Sequence, residues 1–237
     1  MESSNIFFED LGVIDYKKAW DYQEKLLEEV INKKMEYRNN PMVQIPGYIL
    51  FCEHPHVYTL GKSGQVNNLL INEQFLKNID ATYYKIDRGG DITYHGPGQI
   101  VGYPVIDLEQ FNIGVKEYIY KLEESIIKTL AGYGIVSERL EGATGVWIDT
   151  KVPGKTRKIC AIGVRVSRYV TMHGFAFNVN TNLGYFGHIN PCGFLDKGVT
   201  SMHKELGKQQ DFTEVKEKLL DNLLTEFKIS LATDKYK

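Results

Sequence analysis

A cysteine in a turn and a lysine at the start of an apolar segment are the residues best suited to covalent chemistry. Cys192 lies in Asn190-Pro191-Cys192-Gly193, where proline and glycine predict a turn that exposes the thiol. Cys52 and Cys160 lie in apolar segments, where a cysteine is usually an inert core residue. Cys192 is therefore the better candidate for a nucleophile.

A thiol attacks as its thiolate, which a nearby cation or base stabilises. Lys158 opens the apolar segment 158–165, and strand alternation predicts that it points the same way as Cys160, Ile162 and Val164. A lysine that enters the interior has a lowered pKa and can act as a base. A strand-end lysine that reaches solvent is the alternative, and on the pattern alone it is favoured. The spacing does not show whether Lys158 and Cys192 meet.

The stretch 88–99 combines four glycines and a proline with an arginine, a tyrosine and a histidine. Glycine permits positive φ and a close approach of backbone to ligand, and Pro97 fixes the path of the chain. Segments typical of strands precede and follow it, so we expect a loop between two strands that presents backbone amides to a ligand. A glycine-rich hairpin with incidental polar residues is the alternative, because short motifs such as Gly89-Gly90 are common.

Two segments that contain histidine are weaker candidates. His173 precedes Gly174 in a predicted strand, where a ligand could approach the backbone, although a lone histidine is more often a satisfied polar residue. Cys52, His54 and His56 alternate along another segment and could suggest a metal ion. The sequence has no second ligand cluster with zinc spacing, so we predict no metal site.

Hydrophobic periodicity predicts the elements that must position these residues. Long amphipathic helices are expected at 14–36, with Asp15 as N-cap, at 114–131, and from Asp211, where Glu214 completes a capping-box-like pair. A short helix is expected around 71–79. Segments typical of strands lie at 48–52, 57–61, 83–86, 100–106, 135–136, 146–148, 159–166 and 170–179. With no evident linker or repeat, residues 1–237 are predicted to form a single α/β (α+β) domain.

Composition narrows the class of protein. The 237 residues are 43% hydrophobic and 24% charged, which suits a globular chain with a substantial core. A net charge of -2 gives no electrostatic reason to expect a nucleic-acid partner. No apolar run approaches the ~20 residues that span a bilayer, and the first ten residues lack the features of a signal peptide. Together with an odd number of cysteines and no CxxC pair, this predicts a cytoplasmic protein without disulfides.

Taken together, several segments resemble the lipoyl(octanoyl) transferases of lipoate biosynthesis, and the resemblance covers about residues 45–205. The matching segments follow the family's order; they are Glu53-His54-Pro55, 57–61, 88–99, 158–165, 173–178 and Asn190-Pro191-Cys192-Gly193. The resemblance implies an α/β (α+β) fold with a mixed β-sheet core flanked by helices, similar to the catalytic domain of biotin- and lipoate-protein ligases. It implies no cofactor and no metal.

The resemblance also implies an activity and its residues. An octanoyl (or lipoyl) group would move from octanoyl-acyl carrier protein to a lysine of a lipoyl domain, in 2-oxoacid dehydrogenases or the glycine cleavage H protein. Cys192 would carry the acyl group as a thioester, and Lys158 would lower the pKa of its thiol. The substrate-binding residues would be Arg88, Gly89, Gly90, Asp91, Ile92, Thr93, Tyr94, His95, Ala161, Ile162, Gly163, Gly174, Phe175 and Ala176. No nucleic acid and no membrane is expected as a partner.

Two other functions remain to be distinguished. An ATP-dependent lipoate- or biotin-protein ligase of the same fold would also use a glycine-rich loop and a lysine, but it would need no nucleophilic cysteine at Cys192. A non-catalytic module that binds lipoyl domains or acyl carrier protein would form no covalent adduct. The basic loop 150–157 could face an acidic carrier protein, although exposed charges are usually only solvated.

Overall fold

A computed structural model describes residues 5–190 and 197–232. Cys192 and the rest of its predicted turn from Pro191 therefore lie outside the described residues. The strands are β1 (Ile6–Val13), β2 (Gly47–Glu53), β3 (Val57–Leu60), β4 (Thr82–Lys85), β5 (Ile92–His95), β6 (Gln99–Val105), β7 (Glu138–Leu140), β8 (Ala143–Ile148), β9 (Arg157–Ser167), β10 (Val170–Asn178) and β11 (Gly198–Val199). The α-helices are α1 (Tyr16–Asn39), α2 (Glu73–Asn78), α3 (Val115–Ala131), α4 (Met202–Leu206) and α5 (Phe212–Phe227).

The strands form one large and one small sheet. The large sheet has the order β1-β2-β6-β10-β9-β8-β7, with β11 also paired to β9. The pairs β1–β2 and β9–β11 are parallel and the other pairs are antiparallel, so the sheet is mixed, as predicted. The small sheet has the order β4-β3-β5.

Helices cover both faces of the large sheet, because successive side chains of a strand point in opposite directions. In β2, Tyr48 and Leu50 pack with α1 in one buried cluster. Ile49 and Phe51 belong to the opposite cluster, to which α3 and α5 contribute. The mixed sheet flanked by helices is therefore confirmed.

The N-caps predicted for α1 and α5 are present, although the Glu214 carboxylate accepts from Lys218 instead of completing a capping box. The Asp15 carboxylate accepts a hydrogen bond from the Lys18 N–H at 3.1 Å. The Asp211 carboxylate accepts hydrogen bonds from the backbone N–H groups of Thr213 and Glu214 at 3.0 and 3.1 Å. These bonds satisfy amides that have no partner within a helix, which fixes where each helix begins.

Three strand predictions need correction. β1 is absent from the predicted elements, and its exposed positions show why the pattern was weak. The predicted strand at 135–136 is not one; the chain enters β7 only at Glu138. The stretch 88–99 is not one loop, because β5 lies inside it and pairs with β3. No helix of the described residues is long and apolar enough to cross a bilayer.

Candidate functional site

A cavity of about 660 Å³ lies on the α1 side of the large sheet and is lined by residues of β5, β6, β8, β9 and β10. Its size is typical of small-molecule sites. It collects most residues of the predicted site: Arg88, Gly90, Asp91, Ile92, Thr93, His95, Lys158, Ala161, Ile162, Gly163, Gly174, Phe175 and Ala176. The segment 88–95 therefore meets the adjacent strands β9 and β10, which are far from it in sequence, at one cavity.

Two of the predicted substrate-binding residues do not line this cavity. The Gly89 N–H donates to the Val164 carbonyl at 2.9 Å, so Gly89 attaches the loop to β9. The Tyr94 ring packs in a separate aromatic cluster against Tyr185, and its hydroxyl hydrogen-bonds His56 Nδ1 at 2.7 Å. Gly89 and Tyr94 therefore pack next to the residues that line the cavity and do not line it themselves.

The loop 88–91 lies against β9 because glycines leave room for it. A Cβ on Gly163 would stand 2.7 Å from the Gly89 carbonyl oxygen, and a Cβ on Gly61 would stand 2.3 Å from the Gly90 carbonyl oxygen. The buried Arg88 guanidinium donates to the Thr59 carbonyl at 2.7 Å. The loop is therefore packed between two sheets, which argues against an incidental glycine-rich hairpin.

Lys158 reaches the cavity through an irregularity in β9. The pairing of β8 with β9 shifts between Val146–Cys160 and Trp147–Lys158, which leaves Ile159 as an extra residue on β9. Ile159 and Cys160 both pack in the core on the α3 side, whereas Lys158 lines the cavity. The predicted alternation of Lys158 with Cys160 is therefore wrong, because a β-bulge reverses the direction of one side chain.

His173 lines the cavity farther along β10. Its φ of 58° is left-handed, and its ring leaves the face occupied by Phe175 and Phe177. His173 Nε2 lies 3.0 Å from Asp87, which also pairs with Arg165 at 2.7 Å. Burial lowers the pKa of His173, and the hydrogen bond from His173 lowers the pKa of Asp87. The pair is thus a neutral imidazole that donates to an ionised carboxylate.

A second polar chain crosses the cavity floor. His95 Nδ1 and Gln99 Oε1 are 2.9 Å apart, and Gln99 Nε2 donates to Asn178 Oδ1 at 2.9 Å. Asn178 in turn donates to the Thr200 carbonyl at 3.0 Å. Burial lowers the pKa of His95 well below its ordinary value, so the ring is neutral. The chain joins β5, β6 and β10 to the segment that follows Lys197.

Cys52 and Cys160, the two cysteines among the described residues, are buried core residues. Burial raises the pKa of each thiol. Cys52 Sγ lies 3.5 Å from His54, but His56 points to Tyr94 instead. Within residues 5–190 and 197–232 no three histidine, cysteine or acidic side chains are placed to hold a metal ion.

Several residues of the site carried no usable signal in the sequence. Tyr16, Tyr103 and Trp147 line the cavity but belong to helical or apolar strand patterns that predict only core packing. Asn68 lies in a polar loop and donates to both Asp91 carboxylate oxygens, at 2.9 and 2.7 Å. Its carbonyl accepts the N–H of Asn190, two residues before Cys192, at 2.8 Å. The polar composition of the loop 62–68 is compatible with a place beside a cavity, but it does not single out Asn68.

Comparison with known proteins identifies the family. Residues 15–224 match the model of the lipoyl protein ligase A/B catalytic domain. The octanoyltransferase of Bacteroides fragilis (strain YCH46) is 55% identical over 218 residues, which cover 91% of this chain and 95% of the relative. The octanoyltransferase of Christiangramia forsetii is 55% identical over 225 residues, covering 94% of this chain and 95% of the relative.

Solved structures agree in fold at low identity. The bipartite lipoate protein ligase of Thermoplasma acidophilum superposes with a TM-score of 0.67 at 14% identity, over 99% of this chain and 87% of the other. The biotin protein ligase of Aquifex aeolicus, in complex with biotin and ATP, superposes with a TM-score of 0.51 at 15% identity, over 94% of this chain and 70% of the other. The resemblance to octanoyltransferases and the fold predicted from the sequence are confirmed. This chain belongs to the family of lipoyl protein ligase A/B catalytic domains.

Proposed function

We propose that this protein transfers an octanoyl group from octanoyl-acyl carrier protein to a lysine of a lipoyl domain, through a thioester on Cys192. The observation that carries the proposal is the meeting of Lys158 and three predicted substrate-binding segments at one cavity. Relatives named octanoyltransferase support octanoyl as the acyl group. A lipoyl domain as acceptor is in keeping with the Thermoplasma ligase, which was described together with its E2 lipoyl domain.

The described residues on either side of the Cys192 segment support its assignment to this cavity. Asn190 and Lys197 are the nearest described residues before and after it, and both line the cavity. The only other cysteines of the chain, Cys52 and Cys160, are buried with raised thiol pKa values, so neither is a ready nucleophile. Cys192 is thus the one cysteine left for covalent catalysis.

The chemistry proceeds in two acyl transfers. The Cys192 thiolate attacks the thioester carbonyl, a new C–S bond forms, and the carrier's C–S bond breaks as Lys158 gives a proton to the departing thiolate. The acceptor amine then attacks the acyl-enzyme, an amide bond forms, and the Cys192 thiolate is released while the amine proton returns to Lys158. Thioester exchange is nearly isoenergetic and amide formation is downhill, so no ATP is consumed.

The cavity suits an eight-carbon acyl chain beside polar groups. Apolar side chains that can contact the chain include Val101, Leu183 and Phe186. Burying the six methylene groups of octanoyl would contribute roughly 5 kcal/mol. We expect the oxyanion of each tetrahedral intermediate to accept from backbone N–H groups of the glycine-rich segments other than that of Gly89, which already donates to Val164.

The test is intact-protein mass spectrometry after mixing with octanoyl-acyl carrier protein in the absence of ATP. We expect an octanoyl adduct on the wild type and none on Cys192→Ala. Transfer to a lipoyl domain by Cys192→Ala at the wild-type rate would exclude the mechanism. Transfer that appears only with ATP and free octanoate would place the chain among the ligases, and binding without any adduct or transfer would leave a non-catalytic module.

Three further statements stay predictions from the sequence. They are the cytoplasmic location, the organisation of residues 1–237 as a single catalytic domain, and the lack of nucleic-acid or membrane partners. The named acceptors, the lipoyl domains of 2-oxoacid dehydrogenases and the glycine cleavage H protein, are part of the proposal. Each can be assayed as a purified acceptor with the same acyl-enzyme.

A further inference from the structure

We infer that Trp147 is a positioning residue for Lys158, and that its indole ring holds the lysine side chain at the cavity and favours the protonated ammonium. The inference rests on the proposed function, because it concerns the group that protonates the leaving thiolate. It adds a residue from β8 that the sequence indicated only as core.

The contact has the geometry of a cation–π interaction. Lys158 Nζ lies 4.5 Å from the centroid of the Trp147 ring. Tryptophan provides the most favourable ring for such a contact, and distances below about 6 Å are effective. Only 2% of Trp147 is exposed, so the ring is shielded from water, which strengthens the attraction.

The ring is held in place independently of the lysine. Trp147 Nε1 donates to the Ala143 carbonyl at 2.8 Å, a bond within the same strand. In the sheet, Trp147 pairs directly with Lys158, and the register shift beside this pair turns Lys158 into the cavity. The bulge therefore delivers the lysine to a ring that is already oriented.

The Lys158 side chain passes Gly145 on this path. A Cβ at Gly145 would make ordinary contacts with Lys158 Cε and Cδ at 3.4 and 3.5 Å, but it would lie only 2.5 Å from the Cys160 carbonyl oxygen, so glycine lets β8 approach β9 here. Its backbone N–H donates to Glu123 of α3 at 2.9 Å, which fixes this part of β8. Gly145 therefore lies beside the Lys158 side chain, and Trp147 contacts its ammonium group.

The ring has a consequence for proton transfer. Partial burial disfavours the charged form of a lysine, and an aromatic face opposes this effect. Loss of the ring should therefore make the protonated form of Lys158 less favourable. Because the first acyl transfer needs the ammonium form, the alkaline limb of its pH profile reports the protonation of Lys158.

The experiment measures the single-turnover rate of octanoyl transfer from acyl carrier protein to the enzyme against pH. The variants are Trp147→Leu, Trp147→Phe and the control Phe51→Leu, which removes a buried aromatic ring on the opposite face of the sheet. In Trp147→Leu we expect the alkaline limb to move to lower pH by about half a unit to one and a half units, and Trp147→Phe to restore most of it. Phe51→Leu should melt earlier and keep the wild-type limb. An unmoved limb in Trp147→Leu overturns the inference.

A second measurement applies if Trp147→Leu does not fold. The chain has two tryptophans, so a Trp20→Phe background allows fluorinated tryptophan to be incorporated at position 147 alone. Fluorination weakens the ring's attraction for a cation with little change of shape. The alkaline limb should move further down with each added fluorine, and a constant limb would refute the role of the ring. If the wild type forms no acyl-enzyme, the proposed function fails instead.

Discussion

Acid should destabilise this protein through a buried histidine at the N-terminal end of α1. His54 is fully buried, and burial lowers its pKa to about 4. Its Nδ1 lies 2.7 Å from the Ile14 carbonyl, and its Nε2 lies 2.8 Å from the Tyr103 hydroxyl. The neutral ring with the proton on Nδ1 satisfies both contacts, since Nε2 can then accept the Tyr103 proton.

The size of the effect follows from the two pKa values. In the unfolded chain His54 has a pKa of about 6.5, so the unfolded state binds the proton more tightly than the folded state. Stability is therefore complete above about pH 6.5 and is lost as the pH falls towards 4. A shift of about 2.5 units corresponds to about 3 kcal/mol in full, of which about 2 kcal/mol is lost by pH 5.

The assay is urea unfolding of the wild type and His54→Gln between about pH 7.5 and pH 5. His95 and His173 also have lowered pKa values and act in the same direction, so the difference between the two proteins isolates His54. Below about pH 6 the wild type should lose up to about 1.4 kcal/mol more per pH unit than the variant. Tyr103→Phe, which removes the donor to Nε2, should show an intermediate slope. Parallel curves for the wild type and His54→Gln would refute the reasoning.

Two further predictions concern the support of the cavity. In Gly163→Ala the new methyl group would lie 2.7 Å from the Gly89 carbonyl oxygen, so the loop 88–91 must move. We therefore expect acyl-enzyme formation to slow at least about tenfold. Unchanged single-turnover kinetics would contradict this prediction. Asn68→Ala removes the amide that donates to both Asp91 oxygens, and we expect a roughly tenfold slower acyl transfer by quenched-flow mass spectrometry. The surface control Asn78→Ala should keep the wild-type rate, and equal rates in both variants would show that Asn68 does not support the site.

The helices were predictable because each carries its evidence locally. A 3.6-residue apolar period and an acidic N-cap lie within one stretch of chain, so Asp15 and Asp211 marked the start of α1 and α5 correctly. β5 was missed because Gly89-Gly90 and Gly96 make its surroundings look like one loop. Its pairing with β3 is a contact between distant segments, which periodicity does not report.

The residues of the site also differ in whether nearby sequence or contacts between distant segments reveal them. The glycine-rich stretch, Lys158 and Gly174 were found because their residue types are unusual for their surroundings. Trp147 and Tyr16 were missed because an aromatic residue in an apolar pattern normally means core packing. Trp147 reaches the cavity because of the register of β8 against β9, and Tyr16 because of the position of α1. Neither feature is encoded in nearby residues.

Backbone irregularities, more than side-chain type, decide which polar groups reach the cavity. Regular alternation would send Lys158 to the α3 side with Cys160, and His173 to the same side with Phe175. A bulge reverses the first, and a left-handed φ of 58° accompanies the reversal of the second. His173 pairs with Val164, which lies six residues along β9 from Lys158, a separation of roughly 20 Å. The two irregularities therefore place a cation at one end of the cavity and a hydrogen-bonded imidazole at the other. Such conformations persist only where the surroundings enforce them, and here the Trp147 pairing and the Asp87 carboxylate do so.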